Sequence, residues 1–247
     1  MLSLCTSATD TLLRLGQGSR LVAIDEYSRV VPGAQTIPTV GKGSALSREQ
    51  LIAKGIDLAF IWWFQDDAAA TLEQLSIPSV RISDIRLDQV NRLIKCVGEC
   101  MGCRVDAERL AGSLPTAASR PTAEPQRTVY LEMYGPFKTV GQDCYVNDLL
   151  QQAGFRNVIT DRKGGLLISA EQLIQADPSV VLFVSEFASA QAISTRAGMK
   201  DLLAVKEGRV RGIDRRWLVA GAGWPQAVEE IRKAGSGSPA SLVATGR

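Results

Sequence analysis

The chain has 247 residues, 45% of them apolar, which is enough for one large domain or two lobes of about 100–120 residues with a core each. Lysine and arginine number 28 against 26 aspartates and glutamates, a net charge of +2 with the signs interspersed, so nucleic acid is not an expected partner. Histidine is absent. That removes a Ser-His-Asp or Cys-His dyad, His-ligated zinc or haem, and a His general base. Five cysteines, three of them clustered, do not fit a multi-bridge disulfide framework. No run of about 18 apolar residues marks a membrane span, and MLSLCTSATD lacks the charged and apolar regions of a secretory signal.

Met1 to Leu4 reads as the end of a strand running into a helix capped at Thr6/Ser7, with Asp10 three residues after Ser7. A chain beginning inside a strand is expected to have lost residues upstream. Leu21–Ile24, Leu58–Trp63 and Ser79–Ile82 read as strands, separated by helices over Ser47–Lys54 and Asp66–Leu75. Short apolar strands alternating with helices predict a parallel, helix-covered sheet. From Leu87 to Ser113 there is no strand signal and no proline, and apolar residues recur at helical spacing at Val90, Leu93, Ile94, Val97, Met101, Val105 and Leu110. This predicts one linking helix of about 35–40 Å.

Residues 113–126 carry three prolines and read as a linker. Alternation then resumes: Thr128–Met133 strand, Cys144–Ala153 helix, Ser169–Gln175 helix, Val180–Val184 strand, Met199–Ala204 helix, Arg209–Ile213 strand and Gln226–Ala234 helix. The tail from Gly235 is low in complexity and is expected to be disordered. The expected organisation is an N-terminal lobe over 1–85, a linking helix over 86–112, a linker over 113–127, a C-terminal lobe over 128–234 and a tail over 235–247. SREQLIAKGIDLAFIWW at 47–63 repeats as SAEQLIQADPSVVLFVS at 169–185, a helix, turn and strand sharing Glu-Gln-Leu-Ile. The fold class is thus α/β, two Rossmann-like lobes with parallel sheets joined by one long helix, with a groove where the strands' C-terminal ends face each other.

The loops after the strands carry aromatics and cations together. Trp62, Trp63, Phe64, Tyr134, Phe137 and Trp217 suggest flat apolar walls suited to a macrocycle or aromatic chelate, although strand alternation turns one of Trp62 and Trp63 toward the core. Tyr27 belongs to the same set of loops, and Arg29, Lys42, Lys138 and Arg215 would hold carboxylates or a negatively charged ferric complex. The competing reading is that many of these cations are solvated surface.

CVGECMGC has the spacing of an iron–sulfur motif, but Cys96, Cys100 and Cys103 fall on one face of a helix pattern, where packing in the core is the favoured reading and a metal, redox or cluster role the alternative. Cys5 and Cys144 lie near helix starts that would stabilise a thiolate for soft-metal binding, the plainer reading being that they are buried and inert. Asp143, Asp148, Asp161 and Glu186 would suit a hard cation, yet no recognised spacing joins them. The GKG loop at 41–43 and the KGG loop at 163–165 would cradle anions, though neither is a nucleotide fingerprint.

The opening SLCTSATDTLLRLGQGSRLVAIDEYS, the IPTVG turn, LSREQLIAKGIDLAF, ISAEQLIQADPSVVLF, VNDLLQQAGFRNV and VKEGRVRGID, in this order and spacing from Leu2 to about Lys233, resemble the class III substrate-binding proteins of ABC importers. That family handles vitamin B12, haem and ferric siderophores. Cys5-Thr6 departs from the proline the family usually has there. The resemblance implies a monomer without catalytic activity, resident cofactor or metal. It implies capture of a metal chelate or corrinoid between lobes, and delivery to the transmembrane subunits of an ABC permease from a periplasmic or extracellular, lipid-anchored position. It places Glu49 and Glu171, one per lobe, where the family meets permease arginines; the plainer reading is that each favours its helix dipole. The ligand is left as a Tyr-ligated haem, a base-on corrinoid or a siderophore. The alternative function is a metal- or iron–sulfur-dependent enzyme or metallochaperone on the same scaffold, using Cys96, Cys100 and Cys103.

Overall fold

The computed structural model describes residues 1–42, 46–117 and 127–236. Gly43, most of the 113–126 linker and the tail beyond Ser236 lie outside the described residues. The chain divides into two units, Met1–Thr116 with Val219–Pro225, and Ala117–Leu218 with Gln226–Arg247.

The first unit runs β1 (Leu2–Ser3), α1 (Thr6–Arg14), β2 (Ala23–Ile24), α2 (Arg48–Ala53), β3 (Ala59–Trp62), α3 (Asp66–Gln74), β4 (Ser79–Ile82), α4 (Val90–Cys100) and α5 (Arg104–Ser113). Its strands pair in the order β2-β1-β3-β4, all parallel. Leu2, Leu4, Leu51, Ala59, Ile61 and Leu72 form the core on one face of this sheet. Burying such side chains contributes about 1.5–3 kcal/mol each, which is why two-residue strands suffice here.

The second unit runs β5 (Arg127–Glu132), β6 (Lys138–Val140), α6 (Tyr145–Gln152), β7 (Phe155–Asn157), β8 (Gly165–Leu167), α7 (Ala170–Ala176), β9 (Val180–Val184), α8 (Ala190–Ser194), α9 (Leu203–Lys206), β10 (Val210–Ile213) and α10 (Trp224–Ser236), the helix that starts in the segment assigned to the first unit. The parallel sheet has the order β10-β9-β5-β7, and β6 and β8 form a separate antiparallel pair. Taken in chain order, both parallel sheets have the arrangement second-first-third-fourth. The sequence repeat falls on equivalent elements: α2 and β3 match α7 and β9, and Leu51 and Leu173 are the buried residues of the two helices. Ser47 and Ser169 cap them alike, each hydroxyl accepting the N–H of the glutamine three residues on.

Several expectations are corrected. The helix predicted over Leu87–Ser113 is two, because the chain breaks at Gly102, whose φ of +69° a Cβ would strain. The helices then pack on each other, and a Cβ on Gly98 would sit 2.2 Å from that of Ala107. The cap of α1 is Cys5, not Ser7: the Cys5 thiol accepts the Ala8 N–H at 3.4 Å. Asp10, read as a cap partner, is instead buried against Arg14 at 2.9 Å, and burial raises its pKa above the ordinary carboxylate value. The helix expected over Met199–Ala204 starts later, at Leu203. The strands β6, β7 and β8 and the helix α8 were not read from the sequence.

Candidate functional site

In a parallel sheet the ligand site lies beyond the strands' C-terminal ends, at the point where the strand order reverses. In the first unit that point lies between β1 and β3, and the chain leaving β3 is Trp62-Trp63-Phe64. The rings of Trp62 and Phe64 stack with centroids 6.3 Å apart, and Trp63 meets Phe64 edge-on at 5.7 Å. Neither tryptophan enters the core, contrary to the alternation expected of them: Trp62 is half-buried, and Trp63, 50% exposed, already lies past the end of the strand. Trp63 is oriented by its Nε1–H, which donates to Asp84 beyond β4 at 3.1 Å.

Tyr27 and Arg29 sit on the 3-10 turn after β2, both exposed, the turn being capped by Asp25, which accepts the Ser28 N–H at 3.0 Å. The Glu26 N–H donates to the Gly41 carbonyl at 2.8 Å, which sets exposed Lys42 on the loop beside Tyr27. Tyr27, Arg29, Lys42, Trp62 and Trp63 therefore share one end of the first sheet.

The second unit repeats the placement with different chemistry. Its reversal point lies between β5 and β9, where Tyr134 and Phe187 meet at 5.6 Å. Arg215, following β10, lies 6.0 Å over the Phe187 ring and pairs with Glu186 at 2.7 Å. Arg216 covers the half-buried Trp217 ring at 4.6 Å. Phe137 is not an open wall. Its N–H donates to Glu132 at 2.9 Å, Arg196 stacks on its ring at 4.9 Å, and it packs on the core. Lys138 begins β6 and is exposed.

Sequence reasoning missed the group beneath this surface. Glu132, at the end of β5 and 1% exposed, accepts both Arg196 guanidinium nitrogens, at 2.6 and 2.9 Å. A buried carboxylate needs such a partner. The partner is 64 residues away, and a glutamate at the end of an apolar strand was the available signal.

The hard-cation candidates do not gather: Asp143 pairs with Lys163, Asp161 lies 3.7 Å from its neighbour Arg162, Glu186 belongs to Arg215, and Asp148 is half-buried on α6. The KGG loop is no anion cradle, because its Gly164 N–H is used by the Gln142 carbonyl at 3.1 Å and its Gly164 carbonyl accepts from Gly141 at 2.7 Å. Cys5 is fully buried and its thiol is pushed up to about 12 by desolvation, so no thiolate forms there near neutrality. Cys144 precedes α6 and its thiol donates to the Gly141 carbonyl at 3.6 Å. Cys96 and Cys100 are exposed rather than packed in the core. Cys103 lies beyond the break between α4 and α5 and is half-buried. Among the described residues no three His, Cys, Asp or Glu side chains gather to hold a metal ion. Glu49 and Glu171 are both exposed in the first turn of their helices, and the Ser169 hydroxyl lowers the pKa of Glu171.

Two α/β units of one topology, each with aromatic and charged side chains beyond the strand ends, define a two-lobe ligand-binding protein of the class III kind. The family model for periplasmic binding protein matches residues 2–216, and the chain belongs to that family. It is 22% identical to an uncharacterised ABC transporter substrate-binding lipoprotein of Bacillus subtilis, over 94% of this chain and 77% of that one. It is 24% identical to a vitamin B12-binding protein of Vibrio cholerae, over 88% of this chain and 82% of the relative. The periplasmic heme-binding protein RhuT of Roseiflexus matches with a TM-score of 0.82 and 21% identity, over 95% of this chain and 98% of its own. The vitamin B12-binding protein BtuF of Vibrio cholerae gives 0.73 and 22%, over 94% of each chain. By name these relatives are binding proteins, the Bacillus one a lipoprotein and the two solved structures periplasmic. No helix among the described residues is long and apolar enough to cross a membrane.

Proposed function

We propose that this chain is the substrate-binding component of an ABC importer, acting outside the cytoplasmic membrane without catalysis, and that it captures a flat metal chelate of the corrinoid, haem or ferric siderophore class. The observation that carries this reading is the pairing of aromatic surface with cations beyond the strand ends of both sheets: Trp62, Trp63 and Phe64 with Lys42 and Arg29 in one unit, Tyr134, Phe187 and Trp217 with Arg215 and Lys138 in the other. Aromatic faces take up a planar macrocycle, and the cations meet its carboxylates. Buried Glu132, paired with half-buried Arg196, positions the Tyr134–Phe137 turn from below. The enzyme alternative has no such support, since its three cysteines are divided between α4 and the far side of the helix break.

Tryptophan fluorescence, corrected for absorption by the ligand, tests the reading by titration with cyanocobalamin, haemin and a panel of ferric siderophores. Saturable quenching by one of them at micromolar concentration or below supports it, and no response to any of them contradicts it. Docking on the permease is assigned to Glu49 and Glu171, equivalent exposed carboxylates, one per unit. The variant Glu49→Ala/Glu171→Ala is expected to keep its ligand affinity while losing stimulation of the permease's ATPase. A loss of ligand affinity instead removes the assignment.

A further inference from the structure

The apolar stripe of α4 is Val90, Leu93, Ile94 and Val97, and Gly98 seats the helix on α5 through Ala107. Cys96 and Cys100 flank that stripe on the exposed surface, one turn apart, and both are free thiols. Partial burial together with the neighbouring Cys96 raises the pKa of the Cys100 thiol. Packing in the core does not explain two exposed cysteines on a helix.

Residues at i and i+4 of a helix have Cβ atoms about 5–6 Å apart. A metal–thiolate bond is about 2.3 Å, so one ion spans two sulfurs about 4.6 Å apart, which rotation about the two χ1 angles brings within reach. Thiolates select soft ions, and among the described residues no third Cys, Asp or Glu is placed to complete a tetrahedral or octahedral set. We propose that Cys96 and Cys100 form a surface dithiolate site for a soft, two-coordinate cation of the univalent copper or silver type. Two S–H bonds break, two sulfur–metal bonds form, and both protons pass to solvent, with no change of oxidation state. Cys103 takes no part, because the break at Gly102 removes it from the helix that carries the pair.

The probe is silver(I), titrated into the reduced full chain in the presence of a competing small-molecule thiol and followed by the ultraviolet thiolate-to-metal band. The expected result is one equivalent held against the competitor. Cys96→Ala and Cys100→Ala each weaken it by about a hundredfold or more, the gain that linking two ligands supplies, and Cys103→Ala leaves it unchanged. Undiminished binding in either single variant, or equal loss in Cys103→Ala, overturns the proposal. All three variants are checked for an unaltered unfolding midpoint. Their response to the corrinoid, haem and siderophore panel reports separately on the chelate site, so failure of one reading does not carry over to the other.

Discussion

The two units share a strand order and a capped helix, yet differ in what stands at the strand ends. Aligning Ser47 with Ser169, Trp62 corresponds to Val184, Trp63 to Ser185 and Phe64 to Glu186. The first unit therefore presents a cluster of three aromatic rings from one strand exit, while the second assembles its surface from β5, β9 and β10 and includes ion pairs. The contrast extends below the surface. Leu4 bonds through its N–H to the Phe60 carbonyl in the first unit, and the corresponding place in the second is occupied by Glu132. What is common to the units is packing and capping, which any ligand requires; what differs is chemistry in the loops, where a particular ligand is selected.

The largest effect that separates the units is expected at Glu132. Replacing it by leucine, the residue at the equivalent place in the first unit, leaves the half-buried Arg196 without its partner and should cost about 2–3 kcal/mol, read as a fall in the denaturation midpoint. Adding Arg196→Leu should recover most of that loss; if it recovers none, the pair is not what holds the turn. A smaller effect is expected in the helical hairpin of the first unit, which has no counterpart in the second. Gly98→Ala brings a methyl against Ala107 and should cost about 1–3 kcal/mol.

Smaller still near neutrality is the contribution of Cys5, which sharpens the difference between the units because it is a buried cap found only in the first. Its folded pKa of about 12 exceeds the ordinary value of 9.0, so between the two the folded chain holds more protons than the unfolded one. Stability is therefore complete below pH 9 and lost progressively as pH rises toward 12. Cys5→Ala should flatten this alkaline decline in a pH series of unfolding midpoints, and an unchanged slope contradicts the assignment.

The repeat at 47–63 and 169–185 made the duplicated architecture legible, because a cap, a buried leucine and an apolar strand leave local signatures. The aromatic strand exits were legible for the same reason. The hairpin of α4 and α5 was not, since the apolar spacing of Leu87 to Leu110 continues through Gly102 and one glycine decides between a straight helix and a turn. β6 and β8 were hidden because each is three residues long and pairs with a strand distant in the chain. Cys96 and Cys100 were assigned to the core on residue type, when the stripe of Leu93, Ile94 and Val97 already occupied the buried face.

The central claim is that aromatic side chains beyond the strand ends of each sheet bind the chelate. Calorimetric titration of the ligand found by fluorescence into Trp63→Ala, Tyr134→Ala and the double variant tests it most directly. Both side chains are about half exposed, at 50% and 55%, so folding should be perturbed by no more than about 0.5 kcal/mol. The account predicts one ligand per chain, an affinity about tenfold weaker in each single variant and weaker again in the double. Wild-type affinity in either single variant would contradict it.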